Sequence, residues 1–444
     1  MTWTSERRLL VAALLAWAIV ATINLVLGPP LGHDEAAFAV VARDDWPVWL
    51  YRSRGVVALA RLGIALGGAD WQLRLASTIA GLGVVLGVYA VGRAVFDART
   101  GAWAAAVIAT AHPMLLRNAQ LLGDLPATAG VLAGIAVLVA ELDRPAGPRW
   151  RIVLAAPAFA AAFYARYGTA PVIAIAVLAA AALWSRSIRA RPLPVLAAAA
   201  LFALLLVPHA LHSLHWTGEL LGVLRASAGQ PRRAYLGEGL VTYLTANPFA
   251  YYGALVAPLM VAGLVGLART FRRRAPWFLG GVALGQLVAL GLASHAQPRY
   301  LFIAVALLVV LGVEAAGALA RPRTALALIG AAWLAAAIAL VASNLRIART
   351  RSAILAATAA ITADRQARPC MILAGLAPQL TWYSRCEGTR VDEMLPDALA
   401  PARARYLVSM PYAPLDGPAF AAAHGVTLRE LPTGNERARV WAIQ

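Results

Sequence analysis

Lysine is absent from this 444-residue chain, so all 39 basic residues are arginine. Charge of either sign is scarce: 14% of residues are charged and only 21 are acidic. A soluble globular protein carries about a quarter charged residues, so this composition excludes an ordinary soluble enzyme. The net charge of +18 raises the question of nucleic acid. The arginines, however, punctuate apolar runs and form no single basic stripe, which excludes that partner. Cysteine is limited to Cys370 and Cys386, enough for one bridge at most. Polar side chains are also rare in the middle of the apolar runs, which are Ala, Leu, Val and Gly. A transporter or lipid flippase would line its path with such groups, so that reading is the weaker alternative. The absence of lysine fits a GC-rich genome.

What is abundant is apolar sequence: 61% of residues are hydrophobic and the mean hydropathy is +0.69. Runs long enough to cross about 30 Å of hydrocarbon fall near 9–27, 71–95, 100–116, 124–141, 151–165, 168–184, 192–211, 250–268, 277–293, 300–318 and 325–343. The chain therefore reads as a polytopic α-helical membrane protein of about 11 spans. Arg7-Arg8 precede the first run, which has no small-x-small cleavage site and reads as an uncleaved span. With the N-terminus inside, the arginine-rich turns 97–100, 143–151, 185–191, 269–276 and 320–324 all fall inside, as the positive-inside rule requires. The outer side then receives residues 28–70, the tips 112–124 and 165–168, the loop 212–247, the tip 294–299 and the tail after Asn344. In the first outer loop, His33–Val41 and Gly55–Leu66 read as short helices lying along the membrane surface. Trp46, Trp49, Tyr51 and Trp71 suit the interface. The tail, residues 346–444, has ordinary polarity and reads as a small extracytoplasmic α/β domain following a transmembrane domain of residues 1–345. Its expected strands are Cys370–Ala374 and Arg405–Met410, with a closing hairpin of Val426–Leu431 and Arg437–Ile443, and Thr350–Gln366 is an expected lead-in helix. A Cys370–Cys386 disulfide would close about 17 residues and add about 3 kcal/mol; two unrelated thiols are the alternative.

Reactive-looking residues gather on the outer side. His33, Asp34 and Glu35 follow the first span behind Pro29-Pro30. On a helix two adjacent carboxylates diverge by about 100°, so Asp34 and Glu35 would do different work. Asp124, in Gly123-Asp124-Leu125-Pro126, opens a span, and Arg117 and His112 share its tip. The plain reading of both aspartates is helix capping. Arg299 and Tyr300 open a late span after His295, and Arg166 repeats the theme on another tip. A guanidinium at a helix start suits an anion such as phosphate; its plain reading is an arginine reaching to headgroups. His33, His209, His212 and His215 with a carboxylate could hold a divalent metal, but they match no recognised zinc motif, and no cofactor is implied. A carboxylate cluster beside an arginine phosphate site is what glycosyl transfer from a lipid phosphate needs: a base for the acceptor hydroxyl and a cation for the departing phosphate.

Asp34-Glu35 in the first outer loop, Gly123-Asp124-Leu125-Pro126 at a second tip and Pro298-Arg299-Tyr300 opening a late span, in that order, resemble the C-type-fold membrane glycosyltransferases. The likeness is to the branch of protein O-mannosyltransferases and lipid A aminoarabinose transferases. It implies a polyprenyl-phosphate sugar donor held in the membrane, inversion at the anomeric carbon, and a lipid, glycan or protein acceptor. It also implies a bacterial plasma membrane location, an active site facing the periplasm or cell exterior, and a monomer. By the same resemblance Asp34 is the catalytic base, Glu35 orders the site, Asp124 lines it, and Arg299 with Tyr300 contacts the donor phosphate. Position alone adds Arg166 to the phosphate site, and His33, His212 and His295 as donor or acceptor contacts. The chain departs from the protein mannosyltransferases in having no large outer insertion, and arginine must serve where relatives use lysine. A non-catalytic assembly protein with a partner-binding tail is the remaining alternative.

Overall fold

The protein is described by a computed structural model covering residues 4–44, 51–143, 150–228, 234–270, 273–317, 321–375, 377–391, 403–411 and 413–444. Trp46 and Trp49 and parts of the arginine-rich turns at 143–151 and 269–276 lie outside the described residues. In chain order the helices are α1 (Ser5–Leu27), α2 (His33–Asp44), α3 (Arg54–Ala65), α4 (Asp70–Val95), α5 (Ala98–Ile108), α6 (His112–Leu115), α7 (Asp124–Leu142), α8 (Ala155–Ala165), α9 (Ala170–Leu183), α10 (Ser185–Arg189), α11 (Pro192–Thr217), α12 (Gly222–Ala228), α13 (Glu238–Thr245), α14 (Pro248–Tyr252), α15 (Val256–Arg269), α16 (Arg274–Ala293), α17 (Phe302–Gly317) and α18 (Pro322–Arg365). The tail adds β1 (Cys370–Ala374), α19 (Ala377–Ser384), β2 (Glu387–Thr389), β3 (Ala404–Ser409), α20 (Gly417–His424), β4 (Leu428–Leu431) and β5 (Arg439–Ile443).

Most of the eleven expected segments are helical, although 250–268 is interrupted between α14 and α15. Among the described residues, seven helices are long and apolar enough to cross a membrane, and Trp150–Ala165, Tyr167–Leu183 and Val256–Arg269 are shorter apolar helices. Leucines 193, 196, 204 and 211 on α11 and 326, 328 and 334 on α18 are exposed. A belt of that kind is stable only against lipid. Two expectations need correction. The segment 100–116 is not one span: α5 stops at Ile108, the chain extends at Ala111, and Pro113 sits at the start of α6. Proline has no N–H to continue the ladder. The last span and the lead-in helix of the tail are not separate either. They form α18, 44 continuous residues, about 66 Å at 1.5 Å per residue and about twice the hydrocarbon thickness. No proline or glycine interrupts its outer half, so the helix runs on past the membrane, and the expected boundary at 345/346 falls inside it.

The arginine-rich turns meet at one end of the bundle. Arg273 donates to the Val95 carbonyl at 2.8 Å and Thr100 donates to Glu314 at 2.9 Å. Arg191 donates to the Glu141 carbonyl. At the other end α2 is enclosed, another correction. Every residue from Glu35 to Ala42 is buried, packed with Val56, Val57 and Ala60 of α3 and Trp382 of α19. A helix laid on a membrane keeps a solvated face; the alanine and valine sequence of α2 has none to offer. The α3 helix does keep one, with Leu62 and Leu66 exposed.

The tail is a five-stranded sheet of order β2-β1-β3-β5-β4. β1 lies parallel to β2 and β3, and β5 runs antiparallel to β3 and β4. The β4–β5 hairpin is the one expected from sequence. The continuous burial of β1 follows from its position inside the sheet. Ile354, Ala357 and Ile361 of α18 cover the sheet together with Ile372, Tyr406 and Val408. The cysteines are joined as a Cys370–Cys386 disulfide.

Candidate active site

Four turns converge at the end of the bundle beneath the tail. The first turn of α2 supplies Asp34 and Glu35, both at the helix end that favours negative charge. They face different surroundings, as their spacing requires. Glu35 is 2% exposed and points inward. It accepts from Arg74 Nε at 2.8 Å and Nη2 at 3.0 Å, and from the Gly32 and Leu121 N–H groups at 2.8 and 2.9 Å. Its desolvation is outweighed by Arg74 and these hydrogen bonds, which hold its carboxyl below the usual range. With both oxygens engaged, Glu35 is an anchor joining α2, α4 and the 118–124 turn, and it has no free lone pair directed at a substrate.

Asp34 points into the site with a third of its side chain exposed. Arg52 Nη1 donates to Oδ1 at 3.0 Å, and both terminal nitrogens of Arg299 lie 3.3 Å from Oδ2. Burial raises the Asp34 carboxyl, but Arg52 and Arg299 together outweigh it and hold the group well below the usual carboxylate range. His33 adds a weaker favourable charge.

Asp124 is the first residue of α7, and its side chain makes no capping bond. The carboxylate pairs with Arg166 and lies 4.0 Å from Arg299. The plain capping reading of this residue is thereby overturned. Arg166 stands in an extended turn between α8 and a short 3-10 helix at Tyr167–Thr169. The two tips meet because Gly123 has no side chain: a Cβ there would overlap the Ala165 carbonyl. Arg299 opens the 3-10 turn Pro298–Leu301 that leads into α17. Its Nε donates to Gln297 at 2.6 Å, and Gln297 meets His295 at 2.6 Å. Arg166 and Arg299 stack on Tyr300 at 4.6 and 5.8 Å from the ring centre. Gln286 of α16 fixes that turn, donating to the Tyr300 carbonyl at 2.7 Å and accepting from the Ala304 N–H at 2.8 Å.

A small cavity opens among these groups, lined by Asp124, Arg166, Arg299, Tyr300, Gln286 and Thr128, among others. On the other flank of the 298–302 turn lies a smaller crevice, faced by Met114, Tyr251, Tyr252, Pro298, Phe302 and Val305. Of the expected contacts, His33 and His295 are at the site, the latter through Gln297. His212 is not. It lies on α11 beside Trp216, with Arg54, His209 and His215 as its charged or titratable neighbours. Among the described residues no three His, Cys, Asp or Glu side chains form a metal-holding group.

Arg52, which no spacing marks in the sequence, was not among the expected site residues. Arg117 donates to Gln120 at 2.7 Å; it is largely buried and lies within electrostatic reach of Arg299, Glu35 and Asp34. Burial and the like charge of Arg299 lower its basicity. Four guanidiniums (Arg52, Arg117, Arg166, Arg299) thus face two carboxylates not otherwise neutralised (Asp34, Asp124). Such an excess of positive charge favours an anion.

The chain matches a family described as dolichyl-phosphate-mannose-protein mannosyltransferase over residues 52–212. Comparison with curated proteins finds no match. Among solved structures it is similar to ArnT from Cupriavidus metallidurans in the apo state, with TM-score 0.74 and 14% identity over 97% of each chain. It is also similar to ArnT bound to undecaprenyl phosphate, with TM-score 0.70 and 15% identity over 97% of each chain. The archaeal oligosaccharyltransferase AglB from Archaeoglobus fulgidus, in complex with an inhibitory peptide and a dolichol-phosphate, is similar at TM-score 0.57 and 13% identity. That match covers 90% of this chain and 69% of that one. The chain has the C-type fold of the multi-pass membrane glycosyltransferases and resembles the branch that holds ArnT and the protein mannosyltransferases.

Proposed function

We propose that this protein is an inverting glycosyltransferase that moves a sugar from a polyprenyl-phosphate donor to an acceptor hydroxyl or glycan. The observation that carries this reading is the meeting of Asp34 with Arg299 at 3.3 Å, a base and a phosphate-binding cation close enough to serve one lipid-anchored molecule. The arginine excess around them supports a phosphate in particular, because guanidinium offers a planar fork to its oxygens. The undecaprenyl phosphate and dolichol-phosphate bound in the ArnT and AglB structures suggest the class of donor.

In this reading the donor phosphate enters beside Arg299 and Arg166 and draws Arg299 away from Asp34. The released carboxylate takes the proton of the acceptor hydroxyl as its oxygen attacks the anomeric carbon from the face opposite the phosphate. The bond between that carbon and the phosphate oxygen breaks, and the electron pair leaves with the phosphate, whose growing charge the guanidiniums offset. Asp124 holds Arg166 in place, and Tyr300 provides the platform on which both arginines rest. The apolar crevice beside Pro298 and Phe302 suits the first prenyl units. The site faces the periplasm or cell exterior of a bacterial plasma membrane, opposite the arginine-rich turns, and the enzyme works as a monomer. The membrane domain ends near residue 345 within α18, and the remainder forms the outer domain.

The test is incubation of the purified protein in lipid with a panel of polyprenyl-phosphate sugars, with mass spectrometry of donor and acceptor. Donor turnover by the wild type and none by Asp34→Asn is the expected result. Full turnover in that variant would remove Asp34 as the base.

A further inference from the structure

The tail domain has no part in the chemistry just described, yet it grips the chain immediately before Asp34. Buried backbone polar groups must find partners, and in Pro29–Gly32 they find them on four different elements. The prolines bring no N–H. The Pro29 carbonyl accepts from Arg74 of α4 at 3.0 Å, and the Pro30 carbonyl from Arg351 in the outer half of α18. Leu31, fully buried, is held at both groups by the tail. Its N–H donates to the Tyr383 hydroxyl at 2.7 Å, and its carbonyl accepts from Gln379 Nε2 at 2.8 Å. Gly32 N–H goes to Glu35, and its carbonyl takes the Ala36 N–H at 2.9 Å, the first bond of the helix that carries Asp34.

Gln379 and Tyr383 are four residues apart on α19, so they share one face. The Tyr383 hydroxyl in turn donates a hydrogen bond to Asp70 at 2.6 Å, at the start of the helix whose Arg74 holds Glu35. At the far end of α2, Arg43 donates to the Trp382 carbonyl at 3.3 Å and stacks on the Trp382 ring at 5.3 Å. α2 is therefore tied to α19 at both ends. α19 in turn is closed into a loop by the Cys370–Cys386 disulfide, which joins β1 to the residue before β2.

We propose that Gln379 and Tyr383 are positioning residues for sugar transfer: the disulfide-closed α19 of the tail holds Leu31, and through it sets where Asp34 stands relative to Arg299. This rests on the reading of Asp34 as the base. Neither residue touches the cavity, so their effect falls on the catalytic step and spares donor binding, which belongs to Arg299 and Arg166.

The experiment compares wild type with Tyr383→Phe, Gln379→Met and the double variant, all close in volume, in lipid nanodiscs. Three quantities are read: hydrogen exchange of the peptide containing Leu31, stoichiometry and KM for the donor, and kcat. The expected result is faster exchange at Leu31 and kcat lower by about tenfold to a hundredfold in the double variant, the scale of a 1 Å misplacement. Donor binding stays near one per protein with KM within about threefold. Retained stoichiometry separates misplacement from loss of folded protein. If the double variant does not fold, Tyr383→Phe alone, which removes one hydroxyl, decides by the same three quantities. Unchanged exchange at Leu31 overturns the grip, and faster exchange with unchanged kcat overturns its consequence for Asp34. If the wild type turns over no donor, the glycosyltransferase reading fails, while the exchange arm still decides whether the tail holds this segment.

Discussion

Asp34 and Glu35 are neighbours in sequence and of the same chemistry, and the structure assigns them opposite phenotypes when neutralised. Glu35→Gln replaces one carboxylate oxygen with an NH2 group. Oε1 takes Arg74 Nε and the Leu121 N–H, and Oε2 takes Arg74 Nη2 and the Gly32 N–H. Whichever oxygen is lost, the new amide faces two donors, and Arg74, itself 2% exposed, keeps a buried charge without its partner. Breaking a buried pair in this way costs about 3–5 kcal/mol. Asp34→Asn neutralises a carboxylate that is a third exposed in a site where guanidiniums outnumber carboxylates. Stability should fall by less than in Glu35→Gln, because Asp34 is partly solvated and its pairs are screened, while transfer should fall by about 10²–10⁴, the usual worth of a general base. The assay is paired: thermal unfolding of both variants in the same lipid or detergent, and donor turnover at matched folded protein. Equal unfolding temperatures for the two variants would refute the assignment of Glu35 as anchor. Full turnover in Asp34→Asn would refute that of Asp34.

Other outcomes follow from the same geometry. Because Arg52 and Arg299 outweigh burial and depress the Asp34 carboxyl, the acid limb of kcat/KM should lie below the ordinary aspartate value of about 3.9; Arg52→Gln should move it upward in a pH–rate profile. The carboxyl of Glu35 is also depressed in the folded state, so its stabilising contribution is complete above its unfolded value near 4.3. That contribution is lost as pH falls through the folded value, and acid unfolding should be shallower in Glu35→Gln than in wild type. Arg299→Lys keeps the charge but loses the fork that reaches Asp34 and a phosphate together, so donor KM should rise about tenfold while the fold is retained. Cys370→Ser with Cys386→Ser should lower the stability of the tail by about 3 kcal/mol, seen as earlier proteolysis or exchange in residues 370–391 and at Leu31, which α19 holds.

Much of the fold was legible because the solvent dictates it. A chain in hydrocarbon must satisfy its backbone internally, so most apolar runs became helices, and arginine marked one end of the bundle. Four of the tail's strands were legible from short apolar runs between turn residues, though β2 was not, and its hairpin was legible from Thr433-Gly434-Asn435. The different surroundings of Asp34 and Glu35 were legible too, because a 100° helical step separates their side chains. Other features were not. Pattern alone could not say that α18 would carry the last span into the tail without a break. Nor could it say that α2 would be buried, since its cover, Trp382, lies more than 300 residues away. Arg52 and Arg117 are ordinary loop arginines in one dimension, and His212 looked as good a candidate as His295. Local sequence determined which segments are apolar helices, which end is basic and which residues are candidates for chemistry, because hydropathy and helical period act over a few residues. Only the tertiary structure decided which arginine meets which carboxylate and that the tail grips Leu31, because those pairings depend on close approach between distant turns, as at Gly123 and Ala165, which no local pattern encodes.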